Sequence, residues 1–528
     1  MKLAAEELAI HSEAGAHSQS LIWVRCEMVK SEPSPQELST AAVAYPDADE
    51  TRRLRAGRLR FFRTIAESVG VQGPTAGVVI APAVLAGISG GGTALVELVA
   101  AVAMGFVAYA FVLFTRGFNS AGSVYGFTGA VAGPVFGFVS AWTLMLVYIS
   151  FTGGLYTVTA AEAQPAFAAV GLHLSWQAYA IVAFVLVMAI AYLDIKFSAT
   201  VILAVEGVSM LLVVLACSII LAKGGFQGHA FSPAPFRPNG ATLSVLGLGT
   251  VLSFSTFSGF EAAATLGEEA EQPRRLIPPA IMTSLVVVAL YSICVIALVT
   301  NAYPSTDQLA TATVPLVTVT DRFVAGWMGD LINFGAMISA FGAALACAVG
   351  ASRILFALGR DAGPTGLHRT SGRTGAPVGA LIWVGAGSLL TMLLFISEPL
   401  ATRAVAISLS YGADLIIAAY ILVVIAGIIF TVRRQVSPVK TVILLVGLAV
   451  LGYIAKVAFI PLPPAPFTWD ALAAGITLVV GIVLPFVYPP LRRGIRSSAL
   501  LKVGAGALLG ASDSQVSGER IQPARRPV

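Results

Sequence analysis

The sequence predicts an all-helical integral membrane protein with twelve transmembrane helices. They form a five-plus-five inverted repeat with two helices appended, and helices one and six are broken at mid-membrane. Three observations predict this. The 528 residues are 57% apolar and only 11% charged, whereas soluble domains are roughly 45–50% apolar and about 25% charged. Apolar runs of about 20 residues, the length that crosses a bilayer, recur along the chain. The first and sixth of these runs are interrupted at corresponding places.

The apolar segments fall at about 66–88, 93–115, 131–159, 176–193, 199–222, 242–266, 277–301, 330–357, 378–396, 405–431, 440–460 and 470–489. Residues 1–62 read as a cytoplasmic tail, disordered by composition, that runs into Arg52, Arg53, Arg55, Arg58, Arg60 and Arg63. That cluster reads as the positive flank of the first helix, held near anionic lipid. A nucleic-acid patch is the competing reading, and no nucleic-acid partner is expected. The tail mixes both charge signs and has no uninterrupted apolar core, so it is not a signal peptide. Met28 offers a second conceivable start. The transporter domain spans 63–490, with repeats at about 64–222 and 242–431 and extra helices at about 440–489. Residues 491–528 read as a cytoplasmic C-terminal tail.

The loops on one side of this arrangement carry eleven Lys and Arg and those on the other carry five, while both tails, rich in Lys and Arg, lie on the first side. The positive-inside rule then puts both termini in the cytoplasm of a multi-pass cell-membrane protein. Cys217, Cys294 and Cys347 lie in apolar runs and Cys26 in the tail. No Cys or His spacing suggests a disulfide framework or a metal site, and no cofactor is expected.

In segment one, Glu67-Ser-Val-Gly-Val-Gln-Gly-Pro-Thr-Ala-Gly77 places Pro74 inside a helix, where it has no N–H for the carbonyl of Gly70 and its ring clashes there. Gly70, Gly73 and Gly77 loosen the same stretch. Two half-helices follow, with unpaired carbonyls near Gly70 and Val71 and unpaired N–H groups at Thr75, Ala76 and Gly77. Backbone of this kind is tolerated in a membrane only where it lines a cavity or is satisfied by protein. The N-terminus of the second half-helix suits a carboxylate. In segment six, Phe254-Ser-Thr-Phe-Ser-Gly-Phe-Glu261 clusters Ser255, Thr256, Ser258 and Gly259. There hydroxyls compete for backbone partners, and carbonyls are available for an ammonium. N–H groups on one side and carbonyls on the other suit a zwitterion. Either interruption alone also reads as a packing kink; their matching positions in two halves, five helices apart, favour a substrate site.

These residues resemble the amino acid–polyamine–organocation (APC) superfamily of permeases. Phe257-Ser-Gly-Phe-Glu261 with Leu266-Gly-Glu-Glu-Ala-Glu-Gln-Pro-Arg-Arg-Leu-Ile-Pro278 is similar to its sixth helix and following loop. Gly122-Ser-Val-Tyr125, Gly133-Pro134 and Ala141-Trp142 resemble the entry into its third helix, and Ala351-Ser-Arg-Ile-Leu-Phe-Ala-Leu-Gly-Arg-Asp361 the end of its eighth. The resemblance covers about 64–435 and implies the LeuT-like fold with an amino acid bound between helices one and six. Gln72-Gly-Pro-Thr-Ala-Gly77 replaces the usual glycine-rich first-helix motif. The lysine that some proton-coupled members carry in the fifth helix is absent, and Glu206 stands in that helix instead.

The substrate-binding candidates are therefore Gly70, Val71, Gly73, Pro74, Thr75, Ala76 and Gly77 for the carboxylate side. Phe254, Ser255, Thr256, Phe257, Ser258, Gly259 and Phe260 are those for the ammonium side. Phe257 and Phe260 are candidates for an aromatic wall or gate. Side chains of segments three, six, eight and ten are expected around the pocket, with Ser339, Ser408, Ser410 and Tyr411 as further candidates. Charges at membrane depth are expensive, which marks Glu206, Asp414 and Glu261 as proton-coupling candidates. Each also reads as a structural carboxylate bonded to backbone freed by a break.

Gly87-Ile-Ser-Gly-Gly91 matches a nucleophile-elbow pattern without the strand–turn–helix setting or a histidine partner. Gly504-Ala-Gly-Ala-Leu-Leu-Gly510 resembles a dinucleotide loop but follows no strand. No enzyme is expected. The leading reading is secondary transport of an amino acid or related amine, by proton symport or exchange. A sensor or channel-like protein that retains the permease fold is the alternative.

Overall fold

The computed structural model describes residues 61–118, 123–168, 171–193, 196–224, 232–266, 270–362, 366–372, 374–399 and 401–509. Side chains at 61–63, 66, 67, 196–203, 266, 362 and 402 are not among them. The tail to residue 60, with Cys26, Met28 and its arginines, lies outside the described residues. So do Gly122, the loop 267–269, Arg373 and residues from Gly510 on.

The first predicted segment is two helices, α1 (Phe61–Gln72) and α2 (Pro74–Ser89). There follow α3 (Thr93–Thr115), α4 (Val124–Ala132), α5 (Pro134–Ala168), α6 (Trp176–Leu193) and α7 (Lys196–Lys223). The sixth segment is α8 (Leu243–Phe257) followed by a 3-10 helix, Phe260–Leu266. After it come α9 (Pro273–Ala302), α10 (Thr306–Ala310), α11 (Pro315–Phe323) and α12 (Gly326–Ala362). The chain continues through α13 (Val378–Leu394), α14 (Ala401–Arg433), α15 (Pro438–Phe459) and α16 (Phe467–Val487). It closes with α17 (Pro489–Ser497) and α18 (Ala499–Leu509). Pro74, Pro273, Pro315, Pro438 and Pro489 each open a helix, where a missing N–H forfeits no bond and φ is already helical.

Among the described residues, ten helical stretches are long and apolar enough to cross a membrane. The shorter apolar helices α8 and α13 occupy the sixth and ninth predicted segments. The outer helices present large apolar side chains outward, such as Leu211 on α7, Leu445 on α15 and Ile476 on α16. That surface is unfavourable in water and ordinary against lipid tails. At the centre, α5 packs against α12, α14 and α13, and α1 packs against the 3-10 helix, α9 and α12. Most of α17 and all of α18 fall within the stretch, from residue 491 on, read as a tail. Leu500, Leu501, Ala505 and Leu508 are buried there, and Arg434 Nε donates to the Leu508 carbonyl at 2.7 Å.

Candidate functional site

The first interruption is made by Gly73, whose φ of 53° and ψ of 55° lie in the left-handed region that glycine adopts without a Cβ penalty. Pro74 then restarts the helix. The sequence predicts unpaired N–H groups after it, and that expectation is corrected. The Thr75 N–H and hydroxyl both donate to Glu206 Oε1, at 2.9 and 2.7 Å. The Ala76 N–H donates to Ser339 Oγ at 3.2 Å, and the Gly77 N–H to the Gly73 carbonyl at 3.0 Å. A buried N–H without a partner costs about as much as a lost hydrogen bond, and α7 and α12 supply the acceptors. A carboxylate therefore already sits at the N-terminus of α2, the place where the helix dipole favours an anion.

The second interruption falls at Ser258 and Gly259, the latter with φ of 108°. A Cβ there would stand 2.2 Å from Val71 Cγ1, so the two interruptions touch. Ser68 of α1 joins them further, donating to the Phe260 carbonyl at 2.8 Å and accepting from the Ala263 N–H at 3.1 Å. Glu261 closes this break. It accepts the Gly259 N–H at 3.1 Å, the Tyr148 hydroxyl at 2.8 Å and the Tyr420 hydroxyl at 2.9 Å.

A cavity of about 100 Å³ lies beside the two breaks, against the roughly 10–15 Å³ that one water needs. Val71, Gln72, Gly73, Ala76 and Gly77 line it from the first segment, Ser253, Ser255 and Thr256 from α8, and Ser258 from the break that follows. Phe151, Leu155, Val158, Cys347, Val405 and Leu409 bring α5, α12 and α14 into its wall. These are the predicted third, eighth and tenth segments. Gly70, Pro74, Thr75, Phe254 and Gly259 stand behind this lining.

Two expectations about side chains are corrected. Phe257 and Phe260 are fully buried away from the cavity. Phe260 packs edge-on against Phe111 and beside Tyr420, and the ring in the cavity wall is Phe151. Ser408, Ser410 and Tyr411 also turn elsewhere: Ser408 pairs with Thr157, Ser410 donates to Asp470, and Tyr411 pairs with Thr477. Helix phase decides this, because the residues of α14 that face the cavity are Val405, Ala406 and Leu409.

Asp414 lies apart from the two breaks. It lines a second cavity of about 10 Å³ with Ser410, Pro463 and Phe467, next to Asp470 of α16. Leu252 lines both cavities. Three buried acids escape the sequence reading: Glu97 on α3, Glu162 on α5 and Asp470. Glu162 lies next to Glu206; its two oxygens, like Asn333 Oδ1, have no hydrogen-bond partner among the described residues. Each of the three is a lone acid within or at the edge of an apolar run, and that was the available signal. Ser89, the centre of the elbow-like pattern, donates to the Leu85 carbonyl at 2.7 Å and serves the end of α2.

Residues 59–484 match the family model described as amino acid permease. The branched-chain amino acid permease BcaP of Bacillus subtilis is 28% identical over 52% of this chain and 61% of its own length. An uncharacterized transporter of Mycobacterium tuberculosis is 29% identical over 54% of this chain and 62% of its own. The mitochondrial cationic amino acid transporter 3 of Arabidopsis thaliana is 25% identical over 59% and 53%. The chain thus spans little more than half the length of these relatives. With a family match across most of the chain and relatives that are transporters and not enzymes, the chain is a multi-pass membrane protein of the amino acid permease family, within the APC superfamily.

Proposed function

We propose that this chain is a twelve-helix secondary active transporter that moves an amino acid, or a related amine, across the cell membrane with both termini in the cytoplasm. It works by alternating access around the cavity between the first and sixth segments, as a proton symporter or an exchanger. The observation that carries this reading is the convergence of two interrupted helices, Gly73 and Gly259, on one cavity, with the α2 N-terminus at its wall.

The substrate carboxylate faces the Gly73–Gly77 stretch, and the ammonium faces the Phe254–Ser258 side. The side chain faces an apolar wall of Val84, Leu85, Leu155, Val405 and Leu409. No Asp, Glu, Lys or Arg lines the cavity among the described residues, and an unpaired charge in such a wall is costly. A neutral aliphatic amino acid therefore suits it, in keeping with the branched-chain permease among the relatives and against the cationic transporters.

Glu206 occupies the place a substrate carboxylate needs. Two carboxylates repel at one site, and protonating one relieves the repulsion. A proton on Glu206 removes its charge from the N-terminus of α2, so a substrate carboxylate can approach Thr75, and proton and substrate enter together. Glu261, with three donors, serves the break as a structural carboxylate, and Asp414 beside Asp470 is the second coupling candidate.

Purified chain in proteoliposomes tests the reading, with labelled leucine, isoleucine and valine compared with lysine and arginine. Saturable counterflow of an aliphatic amino acid is the expected result. Ion current that does not saturate supports the channel-like alternative, and no counterflow across common amino acids and amines overturns the transport reading.

A further inference from the structure

Glu97 is an anomaly of burial. It sits within α3, wholly excluded from the surface, and neither of its carboxylate oxygens has a hydrogen-bond partner among the described residues. The hydroxyls of Ser253 and Thr256 on α8 and of Ser292 on α9 surround it. The hydroxyl of Ser253 in turn has no hydrogen-bond partner among the described residues. An ionised carboxylate buried without donors is strongly penalised, and charges inside membrane segments persist where they are used.

Two features tie this carboxyl group to the transport cavity. Ser253 and Thr256 both line the cavity, so a single layer of hydroxyl side chains separates Glu97 from its interior. They belong to the last two turns of α8 before the break at Ser258–Gly259. The backbones there are also close: a Cβ on Gly249 of α8 would lie 3.1 Å from Ser89 Cβ and 3.3 Å from Val96 Cγ1, next to Glu97. A change at Glu97 therefore reaches the broken helix through packing as well as through hydroxyls.

The titratable groups on neighbouring helices face other partners. Tyr291 of α9 turns to Thr75 and Glu206, Tyr420 of α14 binds Glu261, and Asp414 of α14 faces Asp470. Cys294 of α9 is exposed, and Lys440 and Lys456 stand in the first and last turns of α15. The groups that face Glu97 are the three hydroxyls.

We propose that Glu97 is a proton-carrying positioning residue of the transport cycle, exchanging its proton with the cavity through Ser253 and Thr256. This rests on the transport reading above and adds a second proton site, on the α8 side, to the one at Glu206. On protonation the carboxylate takes the proton of a cavity hydronium: an O–H bond forms on Glu97, one breaks on hydronium, and water is left. The neutral acid needs no donors. The ionised form draws the hydroxyls of Ser253 and Thr256 away from the cavity, so the wall that meets the substrate changes with the proton.

The test is E97Q in proteoliposomes, followed by counterflow at equal pH and by accumulation under an imposed pH gradient. One coupled proton corresponds to about tenfold accumulation per pH unit of gradient. E97Q is expected to lose about that factor while counterflow persists, and E97D, which keeps an acid, is expected to restore most of it. E97Q with full gradient-driven accumulation overturns the assignment. Absence of counterflow in the unmodified chain instead overturns the transport reading itself, so the two failures are distinct. Should E97Q not fold, infrared difference spectra of the unmodified chain between acid and alkaline pH decide. A protonated-carboxyl band that moves in E97D supports the proposal, and a spectrum identical in E97D overturns it.

Discussion

The two helix interruptions differ in sequence and are closed by the same chemistry, yet they are held differently. Each breaks at a glycine with positive φ, and each is completed by a carboxylate that accepts a backbone N–H next to the break. Glu261 shares out three donors over both oxygens, two of them tyrosine hydroxyls from α5 and α14. Glu206 takes two bonds from one residue, Thr75, on a single oxygen, with the Ser339 hydroxyl of α12 beside it. A fully partnered buried carboxylate is fixed in place, since losing one donor leaves an uncompensated charge. A carboxylate held chiefly at one helix N-terminus, by Thr75 with the Ser339 hydroxyl beside it, is exchangeable for another anion. The sixth-helix break is therefore the anchored one and the first-helix break the responsive one.

The largest expected effect comes from the contact between the breaks. G259A adds a Cβ 2.2 Å from Val71 Cγ1, in a conformation L residues rarely adopt. It should destabilise the protein by about 3 kcal/mol or more, read as a fall in melting temperature in detergent. V71A should recover only part of this, because Val71 Cβ at 2.5 Å remains in the way. An unchanged melting temperature in G259A would break the comparison at its root.

Next in size is E261Q, which turns an acceptor for three donors into an amide and leaves a buried donor facing a donor. A loss of about 1–3 kcal/mol is expected, with no change in the pH-gradient dependence of uptake. E206Q should behave in the opposite way. Its carbonyl oxygen still accepts from Thr75, so stability should change by about 1 kcal/mol or less, while the dependence of uptake on an imposed pH gradient flattens. Unaltered proton dependence in E206Q removes Glu206 from the coupling. The smallest effect separates lining from packing: F151L should shift KM by about tenfold or less, and F257L should leave KM alone while lowering the melting temperature.

The breaks themselves were legible because their causes are local. Pro74 cannot donate to the residue four before it, and Ser258-Gly259 ends a run of helix-competing hydroxyls. The groups that close them were not. Glu206 lies 131 residues from Thr75, and Tyr420 lies 159 from Glu261. No periodicity in the sequence couples positions so far apart. Phe260 misled for a related reason. A break resets the helix phase, so the face a side chain presents after it does not follow from the turns before it. Glu97, Glu162 and Asp470 were open to reading as acids in or beside apolar runs, but which of them finds a donor, as Asp470 does in Ser410, emerges only when neighbouring helices are packed.

The sequence by itself determined that this chain belongs in lipid, that it is helical, and that its first and sixth apolar segments cannot run unbroken. Those properties follow from transfer free energies and from proline and glycine geometry, which act within a few residues. Only the tertiary structure decided that the two breaks meet at Val71 and Gly259, and that a carboxylate of the protein itself caps α2. It also decided which faces of α5, α8 and α14 enclose the cavity. These depend on close packing between helices far apart in the chain, where a fraction of an ångström separates a contact from a clash.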